Sequence, residues 1–368
     1  MQTVMQNKVN ILIAGGGTGG HIFPALAIAK ALEKKASVSL LFVGAKGKME
    51  MEKIPKAGYK IIGIDIAGYN RSNIFKNISL PLKLIKSFWQ VNKILQQFKP
   101  NAVIGVGGYT TFPVLRSAQR KKIPTFIHES NSLAGKSNKL LAKKANFVFV
   151  AFDGMEKYFP ANKIIFSGNP VREEIIYNSI NKNEAIQYFQ LNENKKTVLI
   201  LGGSLGAKSI NSAIAKNLDL INEADAQIIW QTGTALYSEY QNLVKEYPFV
   251  CIKPFIENMA MAYAAADIVV SRAGAMSVAE LCVAKKPVVF VPYPYAAEDH
   301  QTINAQYLVN KESALMVKDA NAAEQLVSTI ISLLTNEILQ KKFIKNIAGL
   351  AQLHAAETIA EKILDTIQ

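Results

Sequence analysis

Along the chain, short runs of β-branched and other apolar residues alternate with longer segments of helical periodicity. In the first half, residues 9–14, 39–43, 102–106, 124–127 and 147–150 predict strands. The rhythm restarts with residues 197–201, 227–231, 268–271, 288–291 and 314–317. Alternation of this kind implies parallel sheets with helical crossovers. Between the two series lies Gly168-Asn169-Pro170, a turn-rich candidate hinge. Each half opens with a buried strand and a glycine-rich turn into a helix. The expected fold is therefore α/β, with two Rossmann-like domains facing across a cleft. A last helix, near residues 355–367, has no evident partner in the pattern, and there is no short-period repeat or low-complexity tract.

Length agrees with this reading, since 368 residues exceed the ~250–300 at which a single core stops growing. Hydrophobic residues at 49% and charged residues at 19% exclude a disordered or fibrous chain. No apolar stretch reaches the ~18 residues needed to span a bilayer. The segment from Met1 to Lys8 is too polar for a signal-peptide core, so a cytosolic protein is expected. Cys251 and Cys282 lie in apolar segments without metal-ligand spacing and read as buried, reduced thiols. Charge changes the picture more. Residues 1–167 hold 25 Lys and Arg against 7 Asp and Glu, whereas residues 168–368 hold 17 against 21. An excess confined to one half suggests an anionic partner there, either nucleic acid or an anionic lipid surface.

The candidate chemistry sits where strands turn into helices. Gly15-Gly16-Gly17-Thr18-Gly19-Gly20-His21 follows the first strand, and bare backbone amides there can approach a diphosphate at a helix N-terminus. The same run also describes a tight turn that binds nothing. Its spacing differs from the dinucleotide fingerprint, and no acidic residue ends the second strand, which argues against a nicotinamide cofactor. Gly105-Val106-Gly107-Gly108-Tyr109 and His128-Glu129-Ser130-Asn131 end further strands of the same sheet, at the edge where open α/β sheets bind ligands. In the second half, Gly202-Gly203-Ser204-Leu205-Gly206 repeats the phosphate-loop pattern. In Ser271 to Glu280, Ser277 and Glu280 share the first turns of a helix. There a carboxylate could bind sugar hydroxyls, or the pair could form a capping box with Ser277 as N-cap. Asp299-His300-Gln301 follows a Pro-rich turn and suits sugar recognition. No two of the eight aspartates are separated by one residue, so no Asp-x-Asp metal pair exists and no metal or other cofactor is expected. Phosphate charge would be met by amides, helix dipoles and a cation such as Arg172.

In this order, GGGTGGH, GVGGY, HESN, GNPVR, GGSLGAK, RAGAMSVAE and DHQTINA resemble the MurG family along nearly the whole chain. The resemblance implies a glycosyltransferase B fold and an inverting transfer of N-acetylglucosamine from UDP-N-acetylglucosamine to the muramyl 4-hydroxyl of lipid I. The product would be lipid II, for peptidoglycan synthesis and thereby cell shape and division. It implies an acceptor-binding, membrane-associating domain over 1–167, a UDP-sugar-binding domain over 168–350, and a C-terminal helix over 351–368 that can pack back on the first domain. For the donor it implies Ser204 at the diphosphate, Glu280 at the ribose, the Ile256 backbone at the uracil, and Ala275, Met276 and Ser277 lining the pocket. Gln301 would hold the sugar hydroxyls and Arg172 the phosphates, with Thr18, Gly19, Gly20 and Asn131 reaching the donor from the other domain. Gly17, Gly107, Gly108, Tyr109 and His128 would meet the acceptor, and His21 is placed to act as base, with Glu129 or His128 as alternatives. Leu205 and Ser130 stand where many relatives carry Gln.

The resemblance also bears on the basic half. Residues 74–78 and 80–89 interleave large apolar side chains with lysines, including Lys76, Lys83 and Lys86. A face of Ile78, Leu82, Ile85 and Trp89 at helical spacing reads on general grounds as core. The surrounding charge and the lipid acceptor instead favour peripheral binding at the cytoplasmic face of the bacterial inner membrane. A UDP-N-acetylglucosamine 2-epimerase of the same fold is the alternative enzyme. A nucleic-acid-binding protein is the alternative class, but the basic residues lack an interleaved stacking pattern or a recognised module, so no nucleic acid is expected.

Overall fold

The computed structural model describes residues 8–68, 80–203 and 206–367. The chain divides into two compact units, Met1–Arg172 with Gln352–Gln368, and Glu173–Ala351. Among the described residues the first unit contains β1 (Val9–Ala14), β2 (Val38–Ala45), β3 (Ile61–Ile64), β4 (Ala102–Gly105), β5 (Thr125–Glu129), β6 (Phe147–Val150) and β7 (Ile164–Phe166). The second contains β8 (Lys196–Leu201), β9 (Ala226–Gln231), β10 (Val250–Lys253), β11 (Ile268–Ser271), β12 (Val288–Phe290) and β13 (Leu315–Met316).

The strand orders are β3-β2-β1-β4-β5-β6-β7 and β10-β9-β8-β11-β12-β13, with parallel pairing such as Ile13 to Phe42 and Ile13 to Ile104. Both are doubly wound, and each reverses direction beside its first strand, between β1 and β4 and between β8 and β11. Loops at the carboxyl ends of those pairs frame a crevice, because the crossovers on either side lead to opposite faces.

Burial on both faces explains the apolar strands. In β1, Ile11 and Ile13 point into a core built with Ile22, Ile28 and Leu32 of the helix Gly19–Lys35. Leu12 and Ala14 point into the opposite core, with Val91 and Ile94 of the helix Leu80–Phe98 and Val114 and Leu115 of the helix Thr111–Arg120. The last helix, Ala355–Ile367, places Ile359, Ala360, Ile363 and Leu364 in the first of these cores, against the helix Gly19–Lys35. It thus belongs to the first unit although it is last in sequence. In the second unit, Val198, Ile200, Ile228 and Trp230 pack against the helices Lys208–Ala215 and Ala322–Thr335.

The turn Gly168-Asn169-Pro170, expected as a hinge, is anchored within the first unit. Gly168 has φ +82°, and a Cβ built on it would lie 2.3 Å from the Gln352 Cβ of the returning chain. Asn169 is buried and donates its side-chain amide to the Ser130 carbonyl at 3.0 Å. The division between units falls a few residues later, after Arg172. Of the cysteines, Cys282 is buried, which pushes its thiol up to about 12, whereas Cys251 is only half-buried.

Ile363→Ala, which empties a fully buried position between the last helix and the first sheet, should destabilise the first unit by about 2–5 kcal/mol. The urea midpoint of that unit's transition would report the loss, and an unchanged midpoint would show that the helix does not support the core.

Candidate active site

In the first unit the glycine loops after β1 and β4 meet at the switch point. Gly16 and Gly17 have φ +150° and +88°, and Gly107 and Gly108 have φ +104° and +85°. A Cβ on Gly108 would lie 2.4 Å from the Gly16 carbonyl oxygen, and one on Gly107 would lie 2.4 Å from Cδ2 and 2.6 Å from Nε2 of His21. Only bare backbone permits that approach. His21 lies in the first turn of the helix Gly19–Lys35, whose Thr18 N-cap makes no side-chain cap and whose first turn carries no acidic residue. The amide end of the helix is thus electropositive and open to an anion. The His21 Nδ1 lies 2.9 Å from the Gly16 carbonyl oxygen. A carbonyl only accepts, so Nδ1 carries the hydrogen and Nε2, against Gly107, carries the lone pair of the neutral ring. The Arg172 guanidinium lies 5.1 Å over the ring of Phe23, from the same first turn, and brings a cation to it. Tyr109 is half exposed at the tip of the second loop.

The segment after β5 turns inward. His128 is 1% exposed; its Nε2 donates to the Gly168 carbonyl at 3.2 Å and its Nδ1 lies 3.3 Å from the Ser130 hydroxyl. Burial pulls it down to about 4, against the opposing bond to Gly168 and with the nearby His21 adding slightly to the fall. Both ring nitrogens are engaged and the ring is neutral near pH 7. Glu129, expected among the catalytic groups, accepts from the Asn131 amide at 3.1 Å, the Gly135 amide at 3.0 Å and the Asn138 side chain at 2.8 Å. Burial raises its pKa and these bonds oppose the rise. Its carboxylate organises its own loop, including Asn131.

In the second unit the corresponding loops follow β8 and β11. Gly203 and Gly206 have φ +81° and +82°, and a Cβ on Gly206 would lie 2.2 Å from the Thr232 carbonyl oxygen. Ser204 and Leu205 lie outside the described residues, as does the segment 69–79 with Lys76 and Ile78. The helix Ala275–Ala284 is capped by Gly274, so Ser277 sits inside its first turn and the capping-box expectation is corrected. Glu280 is 8% exposed and accepts from the buried Tyr263 hydroxyl at 3.1 Å, which fixes its carboxylate beside the first turn. Ala275 and Met276 are buried next to it. The Ile256 amide donates to the Gln231 Oε1 at 2.8 Å, and Ile256 itself is buried. Gln301 accepts from the Tyr293 amide at 3.0 Å, and Asn304, one turn further on, donates to the Ala273 carbonyl at 3.2 Å. That bond ties the Gln301 helix to the loop after β11.

Three positioning side chains were not anticipated from sequence. Gln231 bridges the Gly203 carbonyl and the Ile256 amide. Arg272 clamps the carboxyl edge of the second sheet, donating to the Val291 and Pro292 carbonyls, to Asp319 and to Ser209. Glu50, 1% exposed, accepts from the Gly17 amide at 2.8 Å and the Ala45 amide at 2.9 Å. Gln231 ends a strand, a place where polar residues face ligands, and that was the available signal. Glu50 offered none, because it lies 33 positions from the loop it holds.

Residues 11–150 match the glycosyltransferase family 28 N-terminal domain, and residues 197–363 match the family's C-terminal domain. A protein of Bacteroides fragilis called UDP-N-acetylglucosamine–N-acetylmuramyl-(pentapeptide) pyrophosphoryl-undecaprenol N-acetylglucosamine transferase is 48% identical over 367 residues, 98% of this chain and 97% of that one. The crystal structure of Acinetobacter baumannii MurG superposes with a TM-score of 0.77 at 31% identity, covering 97% of this chain and 99% of that one. The chain belongs to the MurG family of glycosyltransferases. Its doubly wound sheets are those of the glycosyltransferase B fold. A UDP-N-acetylglucosamine 2-epimerase structure shares the fold, with a TM-score of 0.65 at 15% identity over 98% of this chain and 96% of that one. Within this MurG-family chain, the N-terminal match contains both glycine loops, His21 and the segment 128–131, and the C-terminal match contains Glu280 and Gln301.

His128 provides a pH signature of the first unit. Its folded value near 4 lies below the ordinary 6.5, so folding favours the neutral ring. That contribution, on the order of 3 kcal/mol, is complete above pH 6.5 and is lost as pH falls towards 4. The urea midpoint should fall across that window, and His128→Gln should flatten the fall; an identical acid limb in the variant would contradict the assignment.

Proposed function

We propose that this chain transfers N-acetylglucosamine from UDP-N-acetylglucosamine to the muramyl 4-hydroxyl of lipid I, giving lipid II, with inversion at the anomeric carbon. The observation that carries this reading is the near-full-length 48% identity to a protein named for that transfer. The epimerase likeness is one of fold alone at 15% identity.

Displacing UDP from an anomeric carbon builds positive charge on the sugar and negative charge on the leaving diphosphate, while the attacking hydroxyl must lose a proton. The second unit takes the donor. The loop from Gly203 to Gly206, with Ser204 between, receives the diphosphate, and Glu280, oriented by Tyr263, takes the ribose hydroxyls. The Ile256 carbonyl accepts from the uracil, Ala275, Met276 and Ser277 wall the pocket, and Gln301 holds the sugar hydroxyls. The first unit takes the acceptor. Gly17, Gly107, Gly108 and Tyr109 line its diphosphate, whereas Thr18, Gly19, Gly20 and Arg172 serve the donor, Arg172 at its phosphates. His21 is the base, through Nε2. His128 and Glu129 support the acceptor loop from behind, and Asn131 is the member of that loop presented to substrate.

Lipid I holds its headgroup at a membrane, and the helix Leu80–Phe98 supplies a means of reaching it. Leu82, Ile85 and Trp89 share one face and are 72%, 68% and 69% exposed, contrary to the core reading of that stripe. Lys83 and Lys86 flank them, the latter also pairing with Asp65 at 3.0 Å. Among the described residues no helix is long and apolar enough to cross a membrane. Peripheral attachment at the cytoplasmic face, by apolar insertion with basic attraction to anionic lipid, fits this surface.

Incubation with labelled UDP-N-acetylglucosamine and lipid I should give the disaccharide-linked lipid. Epimerised nucleotide sugar, or no turnover, would refute the reading. His21→Ala should lower turnover by at least ~10²-fold and leave UDP affinity by calorimetry nearly intact; near-parental turnover would remove His21 as base. The triple variant Leu82→Ser, Ile85→Ser, Trp89→Ser should weaken binding to phosphatidylglycerol vesicles by more than about tenfold, whereas parental co-sedimentation would refute the insertion surface.

A further inference from the structure

Glu50 reaches the active site through a single peptide group. It begins the helix Glu50–Lys56, just beyond β2, and its side chain turns back beneath the glycine loop. Its carboxylate fills space that two glycines leave. A Cβ on Gly16 would lie 2.3 Å from the Glu50 Cδ, and one on Gly44 would lie 2.5 Å from its Cγ. Each carboxylate oxygen accepts one backbone hydrogen, Oε1 from Ala45 and Oε2 from Gly17.

The Gly17 N–H and the Gly16 C=O are the two ends of one planar amide. The first is held by Glu50 at 2.8 Å, and the second lies 2.9 Å from the His21 Nδ1. We infer that Glu50 is a positioning residue for His21, acting through the Gly16–Gly17 peptide. A carboxylate at the N–H end polarises the amide and strengthens its oxygen as an acceptor, the cooperative effect expected in a hydrogen-bonded chain of low dielectric. The strengthened acceptor holds the hydrogen on Nδ1, fixes the ring and leaves the lone pair on Nε2. It also stabilises the imidazolium formed when Nε2 takes a proton. Carboxylate–imidazole pairs serve hydrolases in the same way, and here one peptide stands between the partners. Thr18 Oγ1 lies 3.5 Å from the same nitrogen and does not displace the carbonyl, because a bare Nδ1 would set two lone pairs against each other at 2.9 Å.

The inference rests on His21 being the base, and the tests separate the two claims. Ring ¹⁵N shifts of the unliganded protein, at a pH where His21 is neutral and assigned by the signal lost in His21→Gln, should show a protonated Nδ1 and a bare Nε2. Wild-type protein protonated on Nε2 would overturn the inference without any variant at position 50. Glu50→Gln keeps the side-chain size but loses the charge and one acceptor. It should move the tautomer population towards Nε2–H and lower kcat by about tenfold or more, as removal of a ligand's orienting partner does elsewhere, with UDP affinity unchanged. Glu50→Asp, which retains the charge, should recover part of kcat. Parental kcat in Glu50→Gln overturns the role, and so does equal loss in both variants with the wild-type tautomer, which would make Glu50 a brace for the loop only. If His21→Gln itself keeps parental turnover, the base assignment falls; if it loses turnover while Glu50→Gln is parental, only the positioning role falls.

Discussion

Everything proposed for the first unit depends on the close approach of two glycine loops at the carboxyl edge of its sheet. The His21 ring can lie against the second loop because Gly107 has no side chain, and the Gly16 carbonyl can come under Gly108 for the same reason. Both contacts use left-handed backbone that a side chain would strain. The ring then finds a carbonyl for Nδ1, and the helix behind it offers uncapped amides to an anion. Sheet topology brings the two loops together, since β1 and β4 are neighbours on either side of the direction reversal.

Around this contact, buried polar groups are satisfied by backbone, which holds the loops without using surface charge. Glu129 takes two backbone amides from its own loop and the Asn138 side chain from the helix that follows, and His128 joins that loop to the turn at Gly168. Such groups are expensive to bury unless bonded, and once bonded they hold one arrangement. The second unit repeats the device with different residues. Gln231 links the glycine loop after β8 to the Ile256 segment, and Arg272 with Asp319 and Ser209 ties the helix after that loop to the far strands. The proposed division of chemistry, donor in the second unit and base in the first, rests on loops held in this way.

Most of the architecture was legible in the sequence, for a physical reason. Central strands of parallel sheets are apolar on both faces and stand out as runs, and 147–150 and 268–271 were read at their true bounds. The strands that escaped, β3, β7 and β10, are short, half-buried edges without that signature. Glycine loops were visible because positive φ demands glycine. Their side-chain partners were not, because Glu50 and Gln231 meet them only in three dimensions. Ser277 shows the limit of spacing arguments: three residues before Glu280 it fits a capping box, yet Gly274 ends the loop early enough to take the cap. The stripe of Leu82, Ile85 and Trp89 has core periodicity, and only the fold reveals that it faces outward.

In the proposed mechanism the reaction is one displacement, with His21 drawing the proton from the acceptor as UDP departs and no covalent sugar on the protein. The anomeric configuration of the product tests that directly. The donor is the α-anomer, so proton NMR of the released disaccharide should show the β-linkage. An α-linkage would mean net retention, by two displacements or by attack from the leaving-group face, and would contradict a single in-line displacement assisted by His21.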